Sequence, residues 1–169
     1  MPGRSGLGAV GQAPTPTLDA FGYNSTSEFP RYGATNVTDS EATQTGGCLC
    51  EGVRYRIRGE LRGVIACHCS QCRRTSGHYA AMTSAPSANI ELTASDSLLW
   101  YKSSDTAERG FCRVCGGNLF WKQAGRDAIS ITAGTLDTPT NISVEQHIFV
   151  ADKSDYYAIN DDLPKQQQW

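Results

Sequence analysis

The sequence predicts an all-β domain stapled by metal. Three observations carry this expectation: short runs of alternating apolar and polar residues, glycines between those runs, and seven cysteines gathered into close clusters. Sustained 3.6-residue periodicity is nearly absent, so little helix is expected.

Residues 1–45 are rich in Gly, Pro, Ser and Thr and hold no helix or strand period. They are expected to form an N-terminal extension, disordered or loosely packed on the domain. From Gly46 the texture changes. Val53, Tyr55 and Ile57 alternate with Arg54, Arg56 and Arg58, the pattern of a half-buried strand. Gly59-Glu60 turns the chain, and Gly63-Val64-Ile65-Ala66 makes a second strand that runs into a cysteine triple. Ser70 to Ser76 is expected to be one or two helical turns ended by Gly77.

Further strands are expected at 79–83 and 89–93, on either side of Pro86, and at 97–102. Residues 108–111 and 118–121 should pair as a hairpin tipped by Cys112 and Cys115. Residues 128–133 alternate again, 144–150 form a last strand, and 152–162 a short helix. The globular domain is placed at 46–164, with 165–169 as a polar tail.

A chain of 169 residues is one domain's worth. The net charge of −2 gives no general attraction for nucleic acid or anionic membrane. No apolar run approaches the roughly 18 residues of a spanning helix. The N-terminus lacks the basic flank and apolar core of a secretory signal. The expectation is a cytoplasmic protein whose thiols stay reduced and available for metal.

The cysteines carry the chemistry. Cys67-His68-Cys69-Ser70-Gln71-Cys72 packs three thiols into six residues. If Cys67 and Cys69 end a strand, both side chains share one face and His68 takes the other. A turn can then return Cys72 to the same point. Three soft ligands with no fourth nearby leave an open position, the mark of a catalytic zinc. Cys48-Leu49-Cys50 and Cys112-Arg113-Val114-Cys115, the latter followed by two glycines, supply four thiolates, the set of a closed structural zinc. A disulfide framework fits poorly, because seven is odd and no secretory signal is seen. Other partitions of the seven remain open; the local triple has the shortest loop closure.

Three thiolates give a bound zinc a formal charge of −1, and a substrate thiolate would make it −2. Such a centre needs positive charge or N–H donors nearby. Arg73 and Arg74 follow the triple directly, and Arg113 sits between two cysteines. Each is equally readable as part of a solvated face. His78 is positioned to line the pocket. His68 reads as a structural hydrogen-bonding residue, and His147 as a core residue or a support for a ligand. Tyr79, Trp100 and Trp121 read as sheet packing.

Taken together, the C-x-C, C-H-C-x-x-C and C-x-x-C-G series resembles the glutathione-dependent formaldehyde-activating family, which includes centromere protein V-like zinc proteins. So do Arg109-Gly110-Phe111-Cys112, Ala133-Gly134-Thr135-Leu136-Asp137 and His147-Ile148-Phe149-Val150-Ala151-Asp152-Lys153. The resemblance implies a β-tent of antiparallel sheets with two zinc ions per chain. It implies a structural zinc on Cys48, Cys50, Cys112 and Cys115, and a catalytic zinc on Cys67, Cys69 and Cys72. It also implies glutathione as co-substrate and a carbon–sulfur lyase or synthase reaction, joining a small thiol to formaldehyde or another small aldehyde or splitting such an adduct. Arg73, Arg74 and His78 are the candidates for binding glutathione. Two other readings compete: a zinc-binding interaction module without catalysis, and a purely structural zinc protein.

Overall fold

The computed structural model describes Tyr23–Asn24 and residues 44–169. Most of the expected N-terminal extension therefore lies outside the described residues. Gln44 and Thr45, the last residues of that expected extension, already belong to a strand. Among the described residues eleven strands form two sheets. They are β1 (Tyr23–Asn24), β2 (Gln44–Gly47), β3 (Arg54–Ile57), β4 (Val64–Cys67), β5 (Ala80–Pro86), β6 (Ile90–Ala94), β7 (Leu98–Lys102), β8 (Ala107–Cys112), β9 (Asn118–Gln123), β10 (Ala128–Thr132) and β11 (Val144–Ile148). The larger sheet runs β1-β7-β8-β9-β10-β5-β4-β11, and the smaller β2-β3-β6. All pairs are antiparallel except β4 with β11, which are parallel. The expected all-β, antiparallel class is what forms.

The alternation in β3 does what the sequence predicts. Val53, Tyr55 and Ile57 are almost wholly buried, while Arg54 and Arg56 stay half-exposed. Tyr55 meets Phe120 of the larger sheet edge-on, with ring centroids 5.3 Å apart. The main core lies between the sheets, with Val53, Tyr55, Ile57, Trp100, Leu119, Phe120, Ile129 and Ile131 at its centre. Burying each such side chain contributes about 1.5–3 kcal/mol. Gly46 lies opposite Tyr55 in the small sheet, where any Cβ would collide with the Tyr55 hydroxyl and with the Thr135 carbonyl of the loop after β10.

A second, smaller core holds Ile65, Cys67, Cys72, Ala80 and Ile148. It is built around α1 (Ser70–Ser76), which follows β4 directly. The Cys69 sulfur caps this helix by accepting the Cys72 N–H at 3.3 Å. Gly77 ends it in the left-handed region, its N–H reaching the carbonyl of Arg73.

Two expectations are corrected. The last strand stops at Ile148 instead of Val150, because Phe149 takes a φ of 55° and the chain turns into a short 3-10 segment at Val150–Asp152. No helix forms over 153–162. The segment turns at 155–156 and its side chains reach the domain: the Tyr156 hydroxyl bonds to His78 at 2.7 Å, the Tyr157 hydroxyl to His68, and Asp161 to His147 at 3.0 Å. Asn160-Asp161-Asp162 ahead of Pro164 also has poor helix propensity. Lys165 and Gln166, in the expected polar tail, bond back to the domain, with the Gln166 N–H donating to the His147 carbonyl at 2.9 Å. No helix among the described residues is long and apolar enough to cross a membrane.

Candidate metal centres

The seven cysteines gather into the two groups expected from their spacing. The ligand atoms of Cys48, Cys50, Cys112 and Cys115 lie within 4.8 Å of one another, and so do those of Cys67, Cys69 and Cys72. None of the seven forms a disulfide.

The group of four joins the turn after β2 to the β8–β9 hairpin. Cys48 and Cys112 are buried in the main core. The Val53 N–H donates to the Cys48 sulfur at 3.3 Å, and the Glu51 N–H to the Cys48 carbonyl. On the other side, Gly116 adopts a φ of 72° and its N–H closes a turn on the Cys112 carbonyl at 2.8 Å. The Cys48–Cys50 and Cys50–Cys112 sulfur separations are both 3.6 Å. Tetrahedral zinc with bonds of about 2.3 Å sets sulfurs about 3.8 Å apart, so these thiols fit such an ion. Backbone N–H groups of Gly117 and Cys50 lower the Cys115 thiol to about 6, favouring the thiolate a metal needs.

The group of three straddles the β4–α1 junction. Cys67 ends β4, Cys69 caps α1 and Cys72 lies in its first turn. The thiols of Cys67 and Cys72, then the N–H groups of Cys72 and Gln71, pull the Cys69 thiol far down. Hydrogen bonding to Cys69 and Cys72 pushes Cys67 up. Among the described residues no fourth His, Cys, Asp or Glu atom joins this group.

Of the arginines singled out by sequence, Arg73 is half-buried with its Nε unpaired, Arg74 is exposed, and Arg113 is exposed beside the other group. Among the described residues the arginine that reaches this group, at Cys72, is Arg109 of β8. Its Nη2 lies 3.7 Å from the Cys72 sulfur and 2.8 Å from Gln71 Oε1. Sequence reasoning missed this role, although Arg109 falls within one of the quoted motifs.

His68 points away from the thiols, as alternation predicts. All three histidines of the chain gather with Tyr79, Tyr156 and Tyr157 in one ring cluster. His78 bonds to the Tyr156 hydroxyl at 2.7 Å. His68 is buried between the Tyr157 hydroxyl and His147, whose Nδ1 lies 2.8 Å from His68 Nε2. His147 Nε2 in turn lies 3.0 Å from Asp161. With Asp161 ionised, the bonds run one way. Tyr157 donates to His68, His68 to His147, and His147 to the carboxylate. Burial, with His147 alongside, lowers His68 to about 4 and keeps it neutral. Trp100 packs in the core against Phe120, with Lys122 over its ring, as expected of a sheet residue.

Fold and thiols together define a class: an all-β domain with two separate cysteine groups, each shaped for one metal ion. The chain belongs to the glutathione-dependent formaldehyde-activating enzyme family, which it matches over residues 43–152. It is 28% identical over 114 residues to a Schizosaccharomyces pombe protein named as an uncharacterized lyase, spanning 66% of this chain and 82% of that protein. It also matches a crystal structure of a Rhodobacter sphaeroides protein with a TM-score of 0.47 and 26% identity, over 56% of this chain and 88% of that one.

Proposed function

We propose that the protein is a zinc-dependent carbon–sulfur lyase. It would join a small thiol, glutathione foremost, to formaldehyde or another small aldehyde, and split the same adduct in reverse. The observation that carries this reading is the group of three thiols at the β4–α1 junction, with no fourth protein ligand among the described residues. Cys67, Cys69 and Cys72 would hold the catalytic zinc, and Cys48, Cys50, Cys112 and Cys115 the structural one. Bound zinc would lower the pKa of a substrate thiol and so supply the thiolate.

The chain's own residues would bind and orient the thiol, and water would exchange the protons. In the joining direction the thiol proton leaves to water, the substrate sulfur bonds to the aldehyde carbon, the C=O π pair moves to oxygen, and that oxygen takes a proton from water, so that water's proton count is unchanged. Splitting reverses each step. Arg73 and Arg74, one and two residues past Cys72, are proposed to meet glutathione's carboxylates, and His78 to line the same side. Membership of the family and the lyase name of the yeast relative support the reaction class.

A second reading, an interaction module without catalysis, draws on Leu49 and Val114. Both project from the turns of the four-cysteine group, 92% and 68% exposed. Titration of glutathione into the cobalt-loaded protein separates the two. A change in the cobalt spectrum, with aldehyde consumption above the spontaneous thiol–aldehyde rate, is expected. No spectral change and no heat of binding would move the interaction reading ahead.

A further inference from the structure

We propose that Arg109 is a positioning residue for the three-cysteine centre. It would hold the Cys72 sulfur in place and offset the negative charge that thiolates bring to a bound metal. This rests on the reading of Cys67, Cys69 and Cys72 as a metal site.

The geometry is specific. Arg109 arrives from β8, a separate element from α1, and aims Nη2 at the Cys72 sulfur. Gln71 holds it there. The Gln71 amide nitrogen donates to the Ser103 carbonyl at 2.7 Å, which leaves its oxygen to accept from Arg109. One Nη2 group thus serves Gln71 and the sulfur together. Among the described residues no carboxylate stands within ion-pair range of Arg109, and its buried Nε has no hydrogen-bond partner. A half-buried guanidinium beside the Cys72 thiol, without a carboxylate, is placed to balance sulfur charge. Arg suits the task better than Lys, because its planar fork presents several fixed N–H donors and holds its charge at any working pH. Donors to a coordinated sulfur stabilise the thiolate form and fix its direction.

The test uses the full chain loaded with cobalt(II), whose thiolate bands report each site. Wild type, Arg109→Met and Arg109→Lys are compared for the cobalt spectrum and for the rate of metal loss to a chelator. Loss from the three-cysteine site is expected to be about tenfold faster or more in Arg109→Met, the scale of outer hydrogen-bond partners of metal ligands. Arg109→Lys should recover part of the difference, and the four-cysteine metal should be unaffected. Should Arg109→Met not fold, Gln71→Leu removes the anchor from an exposed position, and a several-fold faster loss is expected there. Two cobalt ions bound with equal release from wild type and the variants would overturn the role of Arg109 alone. Wild type holding only one cobalt, on the four-cysteine group, would overturn the three-cysteine site and this role with it.

Discussion

Arg54 and Asp137 form a two-pronged ion pair, with Nη1 and Nη2 donating to Oδ1 and Oδ2 at 3.1 and 2.5 Å. The Thr45 hydroxyl adds a third bond to the carboxylate at 2.6 Å. The pair ties the small sheet to the loop after β10, and the Asp137 N–H reinforces it by donating to the Thr45 carbonyl at 2.9 Å.

The first prediction follows from this carboxylate. The Arg54 and Thr45 hydrogen bonds hold Asp137 below the usual carboxylate range. A depressed carboxyl stabilises fully above its unfolded pKa of about 3.9, and that stability is lost as pH falls through its lower folded value. Asp137→Asn should therefore cost stability at about pH 7 and progressively less toward about pH 2. Denaturant midpoints across that range check it. A cost that does not shrink with acid would contradict the role assigned to the charge.

The second concerns the metals. About two zinc ions per chain are expected from protein purified without chelator. Cys112→Ser should lose one of them together with much of the fold. Cys112 sits in the main core, and a structural zinc contributes about 10–16 kcal/mol of apparent binding free energy in small domains. Cys69→Ser should leave the melting temperature nearly unchanged, since serine also caps a helix, while abolishing thiol-dependent activity. Equal melting temperatures for the two variants would count against the division of labour.

The third concerns order of loss. A site with an open position admits an incoming ligand, and a closed four-thiolate site does not. Chelator or excess thiol should strip Cys67, Cys69 and Cys72 first. Simultaneous release of both ions, followed by elemental analysis over time, would sink this idea.

The fourth concerns the N-terminus. A chain beginning at residue 43 is expected to fold and bind metal. One beginning at Thr45 loses the Gln44 side-chain bond to the Asp137 carbonyl, 2.5 Å long, at a cost of about 1 kcal/mol. Thermal melts of the two truncated chains check both. Failure of the longer one to fold would show that earlier residues are needed.

Much of this was legible because its causes are local. Val53, Tyr55 and Ile57 announce β3 by period alone, and Gly77 announces the end of α1. The cysteine groups are legible because close thiols have few uses other than metal. What stayed hidden depends on distant partners. Arg109 meets Cys72 only because the fold brings β8 within side-chain reach of α1, and nothing near Arg109 in sequence points there. The bond between His68 and His147 joins residues 79 apart in the chain, and Asp161 completes the series from the segment after β11. The expected helix at 152–162 does not form because Tyr156 and Asp161 take partners on the domain, His78 and His147, that no local pattern reveals.

β8 carries Arg109 toward one cysteine group and ends in Cys112 of the other, with a register shift between Gly110 and Phe111. Asn118, at the start of the returning strand, also grips α1 by donating to the Thr75 carbonyl at 2.6 Å. A new chain acquiring its ions is therefore expected to mature in sequence. Filling the four-thiol group fixes the hairpin, and a fixed hairpin sets the guanidinium against the other sulfurs. The reactive centre would then be completed only in a chain that has already folded, and a time course of loading into metal-free protein should show the four-cysteine bands rising first.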